Sequence, residues 1–296
     1  MKIVYRIISL QFIMLSFCVS AMGQNDSWLK MENGKMYYIG ESYEKLYNVV
    51  DTSRTQIVYL HIMYDSVLKK KDHVYSILAL GDSHSKYYGY SNYRSDSINN
   101  SMSGKKIAMD DSGEKRKRME NAMFGLSQDR YLKDFDKETL RYSGYVIGSR
   151  YYYDEPLHGV EWNLEDETKE VLGHQCRKAT THWRGRDWTA WYSEIPFADG
   201  PCQFGGLPGL ILELTDSTGE HKIRAKYIKH DNYPFGEYSK GSLFRIKRDR
   251  FLKIYKDYRL NPVKTFESTG LVTMDAGSGN TRQKTRRMFY CPIELE

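Results

Sequence analysis

The sequence predicts a mainly β fold of the α+β class, in which a curved antiparallel sheet carries one or two packed helices. Aromatic residues make up 14% of the chain, with 25 tyrosines, and such rings pack well on pleated, half-buried strands. Several segments also alternate apolar and polar residues and end at turn-forming residues, whereas one late segment has helical periodicity. A half-barrel is one form that such a sheet can take.

The first 23 residues are predicted to be a cleavable secretory signal peptide. Lys2 and Arg6 give a positive start, and an almost uncharged apolar run follows over residues 7–19. Small residues then offer a cleavage site between Gly23 and Gln24. The run is shorter than the roughly 20 apolar residues that span a bilayer. An uncleaved anchor and a lipoprotein are the alternatives, and the expected location is the periplasm or outside the cell.

The mature chain, residues 24–296, is predicted to be a single domain, because no linker of Pro, Gly and Ser divides it. The formal charge of +6 includes Lys2 and Arg6, so the mature chain carries about +4. Nucleic acid is not an expected partner outside the cytoplasm. The basic C-terminal third suggests peripheral contact with an anionic membrane surface or an acidic protein face, with a solvated face as the alternative. Its cationic residues are Arg248, Arg250, Lys253, Lys256, Lys284, Arg286 and Arg287.

The N-terminal half is predicted to contain strands on both sides of a polar excursion. Residues 54–65 are apolar on both alternating faces, which is typical of a central strand. Residues 95–113 are rich in Ser, Asn and Asp and are predicted to lie at the surface, and residues 114–129 have helical composition. Further strands are predicted over residues 74–80 and 140–154, with a Tyr-rich strand or loop over residues 86–93.

The middle of the chain has the clearest hairpin pattern. If Gly185 and Arg186 form a two-residue loop, Trp183 faces Trp188 across the hairpin as an aromatic pair. A second hairpin turns at residues 216–219, which are rich in turn-forming residues. The strands predicted here, after a short opening segment at residues 161–164, cover residues 169–182, 188–195, 210–215 and 221–228.

The last part of the chain is predicted to contain a basic amphipathic helix over residues 245–259. Its apolar stripe consists of Phe251, Ile254, Tyr255 and Tyr258, and Pro262 follows the expected end. Residues 267–287 are predicted to be a loose loop or hairpin, and the final residues are predicted to return to the sheet as a short edge segment.

Cysteine and histidine residues give no metal-site pattern. His174, Cys176 and His182 share one predicted strand face, but the two histidines would lie about 26 Å apart at roughly 3.3 Å per residue. No metal or cofactor is therefore expected. Cys176, Cys202 and Cys291 leave open one disulfide of any pairing, or none.

Catalytic motifs are also missing from the sequence. It has no Gly-x-Ser-x-Gly elbow, no recognisable cysteine-nucleophile motif, and nothing that singles out a pair of carboxylates. The Gly-rich stretch over residues 200–209 lacks the Lys-Ser/Thr ending of a phosphate loop and leads into a strand. It is interpreted as a structural turn, with ligand contact as the alternative. We therefore expect no catalytic residue.

Residues 176–216 resemble the GLPGLI family. The resemblance rests on Cys176–Ala179, Trp183–Arg186, Trp188–Pro196, Gly200–Pro201 and Phe204–Leu212, and on the ending Pro292–Leu295. It implies an exported protein of Gram-negative bacteria, of a family whose genes often lie beside those of outer-membrane transporters. It implies no catalytic residues. Cys291 stands where the family commonly has Asn. The motif that gives the family its name, with the residue before it, is Gly205, Gly206, Leu207, Pro208, Gly209, Leu210 and Ile211.

The leading hypothesis is an exported, non-enzymatic cell-envelope protein that binds an apolar ligand or lipid. An accessory protein of an outer-membrane transporter, acting through protein contacts, is the alternative, and an uncharacterised hydrolase is the third hypothesis. The aromatic residues proposed to bind the ligand or partner are Trp183, Trp188, Trp191 and Tyr192. Replacement of Gly209 by Val is expected to destabilise the fold if that glycine has a positive φ.

Overall fold

The computed structural model describes residues 29–33, 35–39, 47–102, 106–108, 129–146, 149–157, 159–238, 243–268 and 287–295. The expected signal peptide and most of the basic segment before residue 287 lie outside these residues. The helix expected over residues 114–129 also lies outside them, apart from its last residue.

The described residues form strands over most of their length. The strands are β1 (Leu29–Glu32), β2 (Lys35–Ile39), β3 (Tyr47–Asp65), β4 (Lys70–Leu80), β5 (His84–Gly89), β6 (Lys106–Ala108), β7 (Arg130–Asp134), β8 (Thr139–Val146), β9 (Ser149–Pro156), β10 (Asn163–Val171), β11 (His174–Trp183), β12 (Arg186–Ser193), β13 (Ile211–Asp216), β14 (His221–Tyr238) and β15 (Leu243–Arg245). The helices are α1 (Tyr90–Met102), α2 (Arg248–Leu260) and α3 (Pro262–Ser268).

Twelve strands form one large curved sheet, which confirms the predicted fold class. Their order is β10-β11-β12-β13-β14-β3-β4-β5-β7-β8-β9-β15. Neighbours are antiparallel except for β15, which pairs with β9 in parallel. β1, β2 and β6 form a separate three-stranded sheet. Short turns connect most neighbouring strands, as expected where local hairpins build a sheet.

The curvature originates in the two longest strands. β3 and β14 pair antiparallel along most of their length, and this pairing has three register shifts. Each such irregularity bends the strand and increases its twist. The predicted central strand at residues 54–65 therefore lies within a longer, bent strand.

Both faces of the sheet are buried at its centre. Ile57 and Tyr59 point to one face and belong to the main core cluster. Val58 points to the opposite face, where Tyr90 and Tyr93 of α1 pack against its cluster. The apolar character of both alternations in β3 thus follows from a strand that is covered on both sides.

The predicted amphipathic helix corresponds to α2. Phe251 is buried against Tyr142 and Tyr153 of the sheet, with ring centroids 5.1 and 5.9 Å away. Pro262 is the first residue of α3, a position that tolerates proline because the missing N–H has no helical acceptor there. No helix of the described residues has the length and apolar character needed to cross a bilayer.

Three local expectations are wrong. The hairpin loop is Arg184–Gly185, not Gly185–Arg186, so Trp183 pairs with Arg186 and Trp188 pairs with Thr181. Both loop residues have positive φ, which matches the strand twist in a two-residue turn. Another such turn, at residues 172–173, divides the single strand that was expected over residues 169–182. Residues 90–102 form α1, where a strand or loop and then a polar excursion were expected.

Candidate interaction surface

A buried ion pair anchors the loop between β12 and β13, here called the motif loop (residues 194–210). Lys133 Nζ contacts Asp199 Oδ1 and donates hydrogen bonds to the carbonyl oxygens of Gly200 and Phe204, at 3.2 and 2.6 Å. Both charged side chains are buried. A buried pair is tolerated only where further hydrogen bonds satisfy it. The interactions of Lys133 therefore hold the motif loop on the face of the sheet that carries the main core cluster.

Two glycines of the motif are needed for different structural reasons. Gly206 has a φ of 80°, a backbone conformation that favours glycine. Gly209 does not have the positive φ that was expected. Instead, a Cβ at Gly209 would lie 1.8 Å from the carbonyl oxygen of Ser193, so only glycine permits this close approach.

Aromatic side chains enclose the motif loop. The Phe204 ring lies 4.8 Å from Trp188, 5.3 Å from Trp183 and 6.2 Å from Trp162 between centroids. Trp162 Nε1 donates to the carbonyl oxygen of Gly205 at 2.9 Å. Trp188 is only 1% exposed. This group packs the loop onto the sheet, and Trp188 cannot contact a partner without local rearrangement.

The other two predicted aromatic residues lie on opposite faces of β12. Tyr192 is buried in the main core cluster with Trp188. Trp191 pairs with Glu213 on the other face, where Lys169 Nζ lies 4.3 Å from its ring centroid, and its partly buried side chain also packs against the main core cluster. The alternation of a strand requires this separation. The four residues predicted to bind therefore do not form one surface.

Trp191 lies on a partly solvent-exposed face that extends across five neighbouring strands, β12, β13, β14, β3 and β4. We call it the exposed sheet face, and its members are Leu60, Ile62, Tyr75, Trp191, Arg224 and Tyr227. Their order follows from cross-strand pairing, since Leu60 pairs with both Tyr75 and Arg224, and Arg224 pairs with Glu213 beside Trp191. Tyr75 is 47% exposed, Tyr227 is 46% exposed and Ile62 is 37% exposed. Large apolar side chains on an exposed sheet face are a feature of binding surfaces.

Charged residues lie along one side of the exposed sheet face. Glu213 accepts hydrogen bonds from Lys169 at 2.8 Å and from Arg224 at 2.9 Å. Burial by itself would raise the pKa of Glu213, but these two cations outweigh it and hold the pKa below its ordinary value. Lys222 and Lys226 are exposed on the same strand as Arg224. The apolar residues thus lie beside a predominantly basic rim.

Tyr75 and Tyr227 lie close enough to interact electrostatically. The pKa of Tyr227 is raised first by burial and then by the neighbouring tyrosines, which include Tyr90, Tyr93 and Tyr75. Lys229 Nζ lies 5.0 Å from the ring centroid of Tyr93. Tyrosine side chains and the Lys229 cation therefore lie close together near the N-terminus of α1.

A small charged cavity lies between β5, β7, β8 and β14. Its volume is about 10 Å³, roughly the space for one water. Lys86, Arg130, Arg141 and Glu237 contribute to its lining. Burial, followed by the charge of Arg130, lowers the pKa of Lys86 to about 7. Lys86 Nζ donates to the carbonyl oxygen of Gly236 at 2.5 Å. Such a cavity has neither the size nor the lining of a lipid site.

The cysteines and histidines singled out in the sequence are dispersed. Cys176, Cys202 and Cys291 are all free thiols. Burial raises the pKa of Cys176 to about 11. His182 is exposed, and its Nδ1 lies 2.6 Å from the carboxylate of Asp187. In the described part of the chain, no three such residues are grouped as metal ligands.

Sequence reasoning missed most of the exposed sheet face. Leu60, Ile62 and Tyr75 lie in segments whose apolar pattern predicts buried strands, and simple alternation along residues 221–228 predicts Tyr227 on the same face as Ile223. A bulge between Ala225 and Tyr227 reverses that expected direction. The apolar residues on both alternating sides of β3 predict that both faces of the sheet are buried there. In the structure, part of one face is exposed to solvent.

Comparison with known proteins gives a short family match and a low-identity structural likeness. Residues 181–213 match a family described as "Protein of unknown function (Porph_ging)". A search of curated protein sequences finds no match. Two structures of PNGF-II, in the P21 and C2 space groups, are 14% and 13% identical, with TM-scores of 0.44 and 0.45. Each alignment covers 71% of this chain and 34% of that chain, so this chain spans about a third of their length.

Proposed function

We propose that this chain is an exported, non-catalytic accessory protein of the bacterial cell envelope, which binds an acidic partner protein through the exposed sheet face. The observation that carries the proposal is the row of exposed Ile62, Tyr75 and Tyr227 beside basic side chains on a rigid sheet. Tyrosine and arginine are enriched among residues that dominate protein interfaces. A partner with acidic groups complements Lys222 and Arg224.

The export part of the proposal rests on the sequence of residues 1–23, and the family part rests on the GLPGLI resemblance. The matched residues 181–213 fall within the stretch that carries that resemblance. One proposal therefore comprises membership of the GLPGLI family, a periplasmic location and a transporter as the partner.

Binding of an apolar ligand has less support in the described residues. Phe204, Leu207 and Leu210 are buried in the main core cluster on one face of the sheet. A carrier needs a cavity that accepts its cargo, whereas these side chains occupy the space. A surface function is consequently favoured over a lipid carrier.

The test is sedimentation of purified residues 24–296 with outer-membrane vesicles of the producing bacterium. We expect the protein to pellet with these vesicles and pelleting to weaken with added salt, because the rim is basic. Tyr75→Ser/Tyr227→Ser should weaken binding by about tenfold or more, since interface tyrosines commonly contribute over 1 kcal/mol each. Tyr145→Ser is the matched control, because Tyr145 is 44% exposed on the distant strand β8.

Two further samples distinguish a protein partner from lipid. Vesicles treated with protease should lose binding, and vesicles of phosphatidylglycerol should not bind. Binding that survives protease, or equal binding to phosphatidylglycerol, overturns the proposal in favour of a membrane surface. Absence of pelleting, or equal pelleting of the double variant, also overturns it.

A further inference from the structure

Five tyrosines form a continuous row of rings across the sheet, here called the tyrosine row. Its members are Tyr59, Tyr87, Tyr131, Tyr142 and Tyr153. The last four are direct cross-strand partners on β5, β7, β8 and β9. From Tyr59 to Tyr153, consecutive ring centroids are 6.0, 6.1, 5.1 and 4.9 Å apart. These are contact distances for edge-to-face and stacked rings.

The tyrosine row joins the core beneath the motif loop to helix α2. Its first two members belong to the main core cluster, and its last two belong to the cluster that contains Phe251 of α2. Tyr131 packs against both clusters. From Phe251, ring contacts continue to Tyr255 at 5.8 Å and then to half-buried Tyr290 at 6.2 Å. Aromatic rings therefore lead from the core to a side chain that solvent reaches.

Packing alone does not account for the hydroxyl group of Tyr142. A phenylalanine would fill the same ring volume and would bury no polar atom. The structure instead provides for the hydroxyl, which donates to Asp129 Oδ1 at 2.7 Å. A Cβ at Gly144 would lie 2.6 Å from the hydroxyl oxygen. Glycine at position 144 thus leaves the space, and Asp129 supplies the acceptor.

The acceptors along the tyrosine row differ in whether they can take up a proton. A phenol that loses an electron becomes a strong acid. Tyr59 donates to the carbonyl oxygen of Ile211 at 2.6 Å, which accepts a hydrogen bond but is too weak a base to take the proton. The carboxylate of Asp129 can take it from Tyr142. Burial, followed by the charge of Asp129, raises the pKa of Tyr142 well above its ordinary value, so the phenol is protonated before oxidation.

We infer that Tyr142, beside Asp129, is a sink for oxidising equivalents, which reach it through the neighbouring aromatic rings. This inference is independent of the proposed binding function. A one-electron oxidant removes one electron from Tyr142, the phenolic O–H bond breaks, and the proton passes to Asp129. The products are a neutral tyrosyl radical and a carboxylic acid. A one-electron reductant reverses the step, and Asp129 returns the proton.

The other members of the tyrosine row would carry the electron vacancy only in passing. A tyrosine that has no base to take its proton keeps that proton while it is oxidised, and it then recovers an electron from its neighbour. The vacancy moves until it reaches Tyr142, where loss of the proton stabilises it. Such a sink draws oxidation away from the packed motif loop and towards α2.

Flash photolysis with a tethered oxidant tests the inference on residues 24–296. Lys256 is exposed on α2 beside Tyr255, so a ruthenium polypyridyl complex is attached at Lys256→Cys in a Cys291→Ser background. Cys176 and Cys202 are buried and should not react with the label. A flash with an electron-accepting quencher converts the complex into a one-electron oxidant. We expect a long-lived tyrosyl radical in electron paramagnetic resonance spectra of freeze-quenched samples.

Four variants assign the radical and its path. Tyr142→Phe should lose most of the long-lived radical. Asp129→Asn should lose it too, because an amide accepts the hydrogen bond but does not take the proton. Tyr131→Phe is the matched control, since it removes the neighbouring hydroxyl of the row, and it should keep the radical. Tyr255→Phe should slow radical formation, because it removes the first oxidisable ring between the label and Tyr142.

Several outcomes overturn the inference. They are no tyrosyl radical in the labelled parent, an equal radical yield in Tyr142→Phe or Asp129→Asn, an equal loss in Tyr131→Phe, and unchanged formation kinetics in Tyr255→Phe. Thermal unfolding of each variant shows whether it is folded. Should Tyr142→Phe or Asp129→Asn not fold, the infrared difference spectrum of the parent after the flash decides. It must show a newly protonated carboxylic acid, and its absence rejects Asp129 as the proton acceptor.

Discussion

Replacement of Gly209 by alanine should destabilise the fold through one backbone contact. The new Cβ would lie 1.8 Å from the carbonyl oxygen of Ser193, so the two segments must separate by about 1.5 Å to reach ordinary contact distance. The Ser193 N–H donates to the Leu210 carbonyl oxygen at 2.8 Å, and the Leu210 N–H donates to Ile195 at 3.1 Å. Such a separation would stretch both hydrogen bonds.

The expected loss follows from what the separation disturbs. Two backbone hydrogen bonds contribute about 1 kcal/mol each, and imperfect packing of buried Leu207 and Leu210 adds at least a further 1 kcal/mol. The total of about 3 kcal/mol corresponds to a fall in Tm of roughly 6–12 °C for a chain of this size. Gly209→Val should cost more, because its larger side chain meets the same backbone atoms.

Thermal unfolding followed by circular dichroism measures this effect. Gly206→Ala is the matched control within the same motif, since a Cβ there meets no atom within 4 Å and adds only the strain of a positive φ, about 1–2 kcal/mol. A Gly209→Ala variant that melts within 2 °C of the wild type, or above Gly206→Ala, would show that the close approach is not what requires glycine.

Three further predictions concern the stability of the fold. Lys133→Met should lower the stability by about 3–5 kcal/mol, because it leaves Asp199 buried without its cation; chemical denaturation should show partial recovery when Asp199→Asn is added. Leu172→Asn should raise the stability by about 1 kcal/mol, because Leu172 has a φ of 54° in a turn that favours Asn; an unchanged or lower Tm would contradict this. Trp188→Ala should cost about 3–5 kcal/mol, whereas Trp191→Ala should keep most of the stability and weaken vesicle binding; equal losses of stability would refute the assignment of these residues to opposite faces.

The sequence was informative about elements whose pattern is local. The hairpin from β13 to β14 follows from the alternation of Leu210, Leu212 and Leu214 and from the turn residues after Asp216, and all three leucines are buried. The helix α2 follows in the same way from its apolar stripe. Such patterns depend on neighbours along the chain, so they can be recognised without knowledge of the sheet order.

Features that depend on contacts distant in sequence could not be predicted. Lys133 and Asp199 are separated by 66 residues, and nothing near either residue indicates that they pair in the core. The loop of the β11–β12 hairpin was misplaced by one residue, because Arg184 at positive φ carries no glycine-like signal. The contact between His61 and His221, and that between His221 and the Pro292 carbonyl oxygen, join β3, β14 and the end of the chain, and nothing in the sequence relates these segments.

The residues that carry the family resemblance are mostly different from those of the surface proposed to bind a partner. This difference has a physical reason. Strand alternation sends Trp188 and Tyr192 of β12 inward and Trp191 outward. The inward residues, together with the motif loop, are determined by close packing, so a motif built from them identifies the architecture. Partner choice depends instead on the exposed side chains of β3, β4 and β14, which the core leaves free to vary. A shared motif in this part of the chain therefore indicates a shared scaffold, and the partner must be inferred from Tyr75, Tyr227 and their basic neighbours.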